Sequence, residues 1–213
     1  MGIRIFLRRT AVLIVLLLVV QPVRHAAAEL IDRIVATVNR DAITLSELNQ
    51  TVGFNNALGG AAGESVQSVR EETLQGIINR HLLLQEAARL KFVDVSGQDV
   101  SSEMDQLRNR LGSDRALGEL LDRLDMTREQ LGHMLAERLT VERFVEKKVS
   151  LFVRVSRDEA EDYFNRNPDR FKGKKFPEVQ KEITAALQAR KAEEQLARYL
   201  AELRSRADIR IYP

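Results

Sequence analysis

Few residues of this chain could carry bond chemistry. There is no Cys, which excludes thiol catalysis, a disulfide framework and a Cys-ligated zinc or iron–sulfur site. Of the three His, His25 lies in an N-terminal segment treated below, leaving His81 and His133. Neither belongs to a spaced set of three metal ligands. His81 falls in line with Ile77 and Ile78 and reads as a core histidine. His133, beside Met134, reads as a surface or boundary residue. Gly59-Gly60 follows no strand, so it is neither a phosphate loop nor a dinucleotide fingerprint. The adjacent carboxylates Glu71-Glu72 and Glu193-Glu194 read as charged helix faces. Lys172-Gly173-Lys174-Lys175 reads as a solvated turn, with contact to anionic lipid or lipopolysaccharide as the alternative. No catalytic residue, cofactor or metal is expected.

The elements that would position any site begin after an address. The chain has 213 residues, 44% hydrophobic and 30% charged, which is ordinary for a folded protein. Residues 1–10 carry Arg4, Arg8 and Arg9 and no acid. Residues 11–20 are wholly apolar, and Ala26-Ala27-Ala28 precedes Glu29. This is a basic, then apolar, then small-residue pattern, expected to be an export signal cut between Ala28 and Glu29. Ten apolar residues span roughly 15 Å as a helix against about 30 Å of hydrocarbon, so no stable membrane span is expected after cleavage. An uncleaved inner-membrane signal anchor is the alternative. Four of the 33 Lys and Arg and none of the 31 Asp and Glu lie in residues 1–28, which leaves 29 against 31, net −2. That balance argues against nucleic acid as a partner.

The remainder reads as mostly α. Ile34, Ala36 and Val38 alternate as a strand, followed by a turn at Asn39-Arg40-Asp41. Thr44 with Glu47, Ser96 with Asp99, Thr127 with Gln130 and Ser156 with Glu159 have capping-box spacing and open helices. The helix over about 65–92 carries a stripe of Leu74, Ile77, Ile78, His81, Leu84 and Ala88, which Leu82-Leu83-Leu84 widens, so burial on more than one side is expected. Gly112 and Pro168 stop helices. Pro177 opens the longest helix, to about Ala207, and Ile209 and Ile211 alternate as a closing strand. One strand at each end of a helical chain predicts that the two ends pair.

Apolar surface is what remains to do work. Phe54, Leu58, Met104, Leu107, Leu120, Leu121, Met126, Leu131 and Met134 fall on short helices in mid-chain. They are candidates for an adaptable binding surface, because Met suits promiscuous apolar grooves. The competing reading is that they fill the core.

Residues 30–52 resemble the opening of SurA-type periplasmic chaperones, with Ile34, Val35, Ala36, Val38, Asn39, Ile43, Thr44 and Glu47 matching. The likeness continues through residues 76–96. Residues 155–171 resemble the segment that precedes a parvulin prolyl-isomerase domain, and residues 176–212 the helix and strand that return to the N-terminal module. The resemblance implies a second short strand after the first turn. It also implies a helical chaperone module with a small β-sheet made by the N-terminal and C-terminal strands. Between Phe171 and Phe176 only four residues stand where relatives carry an isomerase domain. The implied organisation is a signal peptide over 1–28 and one domain over 29–213. Within it, 29–167 holds the N-terminal strand and helices, 168–176 the short turn, and 177–213 the long helix and closing strand. The implied function is ATP-independent binding of unfolded or nascent exported polypeptides. A prolyl isomerase-family member and a scaffold for one folded partner are the alternatives.

Overall fold

A computed structural model describes residues 32–59, 65–149 and 153–212. The expected export segment, its Ala28–Glu29 boundary, and Gly60 and Gly63 lie outside the described residues.

Strands β1 (Ile34–Val38) and β2 (Asp41–Thr44) form an antiparallel hairpin, and β3 (Ile209–Ile211) pairs antiparallel with the other side of β1. The sheet order is β2-β1-β3, so the two ends of the domain pair as their alternation predicts. Asp41 belongs to β2 rather than to the turn. Asn39 turns the chain with φ 58°, a conformation Asn tolerates better than most residues. Its side-chain oxygen accepts from the Asp208 N–H at 3.0 Å, and its own N–H donates to the Asp208 carbonyl at 2.8 Å. Ala36, Val38 and Ile43 are fully buried on the face turned to the helices.

Seven helices are present among the described residues: α1 (Leu45–Ala57), α2 (Val66–Arg89), α3 (Gly97–Leu111), α4 (Asp114–Arg123), α5 (Arg128–Lys148), α6 (Arg157–Arg166) and α7 (Phe176–Arg206). The sequence marks their starts well. Thr44, Ser96, Thr127 and Ser156 each accept an N–H from the residue three positions on, and the reciprocal bond completes a capping box at Ser96 and Thr127. At Thr44 and Ser156 the partner carboxylates do not return. Glu47 turns to α2, and Glu159 pairs with Lys191 of α7 at 2.7 Å. Gly112 ends α3 with φ 95°, the left-handed cap that glycine adopts without strain.

Three apolar clusters hold the elements together. The first joins the sheet to α1, α2, Phe144 of α5 and Leu203 of α7. The second lies among Phe54 of α1, α3, α4 and the N-terminal half of α5. The third is smaller and joins α6 to the N-terminal half of α7 around Phe171 and Phe176. Helix α7, 31 residues and about 46 Å long, therefore serves the third cluster with one end and the first with the other.

The buried face of α2 is the widened one, and it departs from expectation at Glu86 and Ala88. Leu82, Leu83, Glu86 and Ala87 are buried with Ile77 and Ile78, whereas Ala88 is exposed. Glu86 is a buried carboxylate that apolar periodicity cannot foresee. Glu86 accepts from Arg89 Nε at 2.7 Å, Arg89 Nη2 at 2.8 Å and the Tyr199 hydroxyl of α7 at 3.0 Å. The Arg89 bond outweighs burial and holds the Glu86 carboxyl at about 2. Burial, then the bond to Glu86, pushes the Tyr199 phenol up to about 12. A charge can thus sit at the α2–α7 contact because both carboxylate oxygens have donors.

Candidate functional site

All nine candidate apolar residues come together in the second cluster. Phe54, Leu107, Leu120, Leu121, Met126 and Leu131 are buried in it, with Leu131 fully enclosed. Leu58, Met104 and Met134 are half-buried and pack against its outside. Four helices supply them. α1 contributes Phe54 and α4 contributes Leu120 and Leu121. The turn after α4 contributes Met126, whose N–H donates to the Leu121 carbonyl at 3.0 Å. α1 approaches the end of α4 closely: a Cβ on Gly53 would lie 2.3 Å from Leu124 Cδ2, so a side chain at this position would have to displace Leu124.

Charge fixes the outer helix of this lobe. Arg143 of α5 donates to the Asp94 carbonyl and to Asp99 Oδ1 at the start of α3, the latter at 2.5 Å. Arg138 pairs with Glu103 one turn further along. The Arg143 guanidinium, then the Ser96 donors, hold the Asp99 carboxyl far below the usual carboxylate range.

Two clefts open beside the lobe. One, of about 650 Å³, runs between α1 and α2 and is lined by Leu58, Val69 and Ile77 with Asn55, Thr73 and Gly76 along it. The other, of about 240 Å³, lies among α1, α2 and α5. Met126 and Met134 are its apolar lining. Glu47, Arg80, His81 and Glu137 are among its polar lining. Leu58 and Met134 of the rim therefore border open space, as does Met126, whereas Phe54, Leu107, Leu120, Leu121 and Leu131 can meet a ligand only if the lobe opens.

His81 is half-buried and held by charge rather than enclosed in apolar core. Its Nε2 lies 3.4 Å from Glu47 Oε1 and its Nδ1 lies 3.6 Å from Asp41 Oδ2. Arg80 Nη2 donates to the same Glu47 oxygen at 2.6 Å. Arg80 Nε is buried without a hydrogen-bond partner among the described residues. Glu137 Oε2 stands 3.7 Å away, close enough for charge but too far for a bond. The Glu47 bond, working against burial, raises the His81 pKa above 6.5. Burial pushes Glu47 up, and His81 and Arg80 outweigh it, so its pKa ends below 4.5. No spacing in the sequence announces this cluster, because Glu47 and His81 are 34 residues apart.

The cluster has a pH signature. A group whose pKa rises on folding stabilises fully below its unfolded value and loses that contribution as pH climbs through the folded one. His81 therefore stabilises below about pH 6.5 and progressively less above it. Glu47, shifted the other way, stabilises above about pH 4.5. The melting temperature of the wild type is expected to fall between pH 6 and pH 8, and this fall should flatten in His81→Gln. An unchanged slope in the variant would remove His81 from the account.

His133 is exposed and lies 3.9 Å from Glu129, as a surface residue should. Among the described residues no three metal-ligating side chains come together, and no helix is long and apolar enough to cross a membrane.

The first strands and helices of this fold match a known domain. The family profile of the SurA-like N-terminal domain matches residues 2–145, and the chain belongs to that family. That stretch begins ahead of β1, in the expected export segment, and runs nearly to the end of α5. No parvulin domain interrupts the connection between α6 and α7, which is residues 167–175. No curated protein matches the chain significantly. Among solved structures, it is similar to a chain described with the virulence factor PEB4 and the periplasmic protein Cj1289, two structurally related SurA-like chaperones of Campylobacter jejuni. The TM-score is 0.55 at 14% identity, over 85% of this chain and 99% of that one. At that identity the likeness is one of fold.

Proposed function

We propose that this protein is an ATP-independent periplasmic chaperone that holds unfolded outer-membrane or secreted proteins. Membership of the SurA-like family supports the class. One observation carries the finer reading: Leu58, Met104 and Met134 stand half-exposed around a closed apolar lobe, with open clefts beside Leu58 and Met134. The sequence pattern of residues 1–28 supports export with cleavage after Ala28, which would leave residues 29–213 as one chaperone domain.

An extended client segment could lay apolar side chains on this rim. Apolar burial contributes about 25 cal/mol per Å², so a few hundred Å² gives several kcal/mol before ordering costs. Such binding is weak and exchangeable, and it needs neither a nucleotide nor a covalent step. The polar wall of Glu47, Arg80, His81 and Glu137 beside Met134 would face the client's backbone or water. Leu107, Leu120, Leu121, Phe54, Met126 and Leu131 would shape the rim from below.

The test is whether the chain, without ATP, keeps an unfolded β-barrel protein from aggregating. A proline-peptide isomerisation assay separates the holdase from the isomerase reading. The holdase reading expects a rate equal to the uncatalysed background, and a rate proportional to protein concentration would replace it.

A further inference from the structure

The turn between α6 and α7 carries the densest positive charge of the described residues, and the holdase reading does not use it. From Arg166 to Lys181 there are six basic residues and two acidic ones, Asp169 and Glu178, in a chain whose overall net charge is only +2. Arg170, Lys172, Lys174 and Lys175 are all exposed. No ion pair to any of these four is present among the described residues. Asp169 and Glu178 offset only two of the six charges, and the Glu178 carboxylate accepts the Lys175 backbone N–H at 2.8 Å.

The tip is also rigidly based, which a merely solvated turn does not require. Phe171 and Phe176 bracket the Lys172-Gly173-Lys174-Lys175 stretch and are both buried. Phe164 packs against each, with ring centroids at 5.3 Å and 5.8 Å. The Phe171 N–H donates to the Pro168 carbonyl at 3.3 Å and the Lys174 N–H to the Phe171 carbonyl at 2.9 Å. Gly173 supplies the φ of 82° that the reversal needs. The Arg170 guanidinium is held over the Phe171 ring and donates to the Tyr163 hydroxyl at 2.9 Å. Like charges so gathered repel one another unless a counter-charge meets them.

We propose that this tip docks the protein on the anionic phospholipid headgroups of a bilayer. The chemistry favours a diffuse negative surface. Lys is a compact, mobile point charge, whereas bidentate reading of a single carboxylate or phosphate calls for the Arg fork. Three of the four tip cations are Lys, and the Arg is engaged with Tyr163 and Phe171. The export reading, on which this inference rests, brings the chain into a compartment bounded by bilayers. Docking through the α6–α7 turn would leave the lobe of α3, α4 and α5 free for clients.

The experiment is co-sedimentation of the full chain with vesicles of phosphatidylcholine alone or with 30% phosphatidylglycerol. Each Lys near an anionic surface is worth about a fivefold factor in partitioning at low salt. The variant Lys172→Gln/Lys174→Gln/Lys175→Gln should therefore bind the anionic vesicles roughly tenfold to a hundredfold more weakly than wild type. Binding to neutral vesicles, which reads the rest of the chain, should not change. Lys172→Arg/Lys174→Arg/Lys175→Arg should retain binding, and raising the salt should erase the difference between wild type and the Gln variant. Equal partitioning of wild type and the Gln variant on anionic vesicles overturns the proposal, whatever other partner the tip then has. The Gln variant should suppress client aggregation in lipid-free solution as well as wild type does. Loss of suppression by wild type with the lipid difference intact would refute the holdase reading alone.

Discussion

Leu131→Ala is expected to destabilise the chain by about 2–5 kcal/mol. Leu131 is fully enclosed at the centre of the second cluster, where α1, α3, α4 and α5 converge. Truncation removes apolar contacts and leaves a cavity that charge-pinned helices close only in part. Arg143 with Asp99 and Arg138 with Glu103 hold α3 against α5 on the outside of that cavity. Urea unfolding measures the effect as a lower midpoint at unchanged slope. A loss below about 1 kcal/mol would mean that the lobe is not a packed core.

The second large effect is on binding. Leu58→Gln/Met104→Gln/Met134→Gln replaces the half-exposed apolar rim with polar chains of similar length. The variant should need several times more protein than wild type to hold the same unfolded client in solution. Surface-side changes of this kind cost far less stability than a change at Leu131, so the two variants separate surface from stability. Leu131→Ala, assayed below its melting temperature, keeps the rim and should keep most of the suppression. If the rim variant suppresses aggregation as well as wild type does, clients do not use Leu58, Met104 and Met134.

Much of the fold could be read from local chemistry. Helix starts were marked at Thr44, Ser96, Thr127 and Ser156 because a hydroxyl three residues before a partner satisfies an orphan N–H wherever the chain lies. Ile34, Ala36 and Val38 predicted β1, and Ile209 and Ile211 predicted β3, because alternation is also local. Their pairing followed from the weakness of either strand alone. What stayed hidden depends on contacts distant in sequence. Glu86 sits at the α2–α7 contact, where Tyr199, 113 residues away, joins Arg89 in donating to it. Glu47 abandons its capping partner because Arg80 and His81 compete for it. His81 reads as a core residue from its place beside Ile77 and Ile78, and in the fold its ring lies between the carboxylates of Asp41 in β2 and Glu47 in α1.

The candidate site was legible in part for the same reason. Spacing identified Phe54, Leu58, Met104, Leu107, Leu120, Leu121, Met126, Leu131 and Met134 as apolar positions of mid-chain helices. It could not say which of them would close into a core. Enclosure is decided by how four helices meet, and that leaves Leu58, Met104 and Met134 at the rim. The aromatic anchoring of the lysine turn was equally unreadable, since Phe164 reaches Phe171 and Phe176 only once α6 and α7 are packed.

The central claim is that this fold holds unfolded chains without chemistry. Light scattering of a β-barrel outer-membrane protein diluted out of denaturant, with and without this protein and with no ATP present, tests it most directly. The account predicts that scattering falls progressively as the protein approaches and then exceeds the client in molar amount. Scattering that remains at the client-alone level in stoichiometric excess would contradict it.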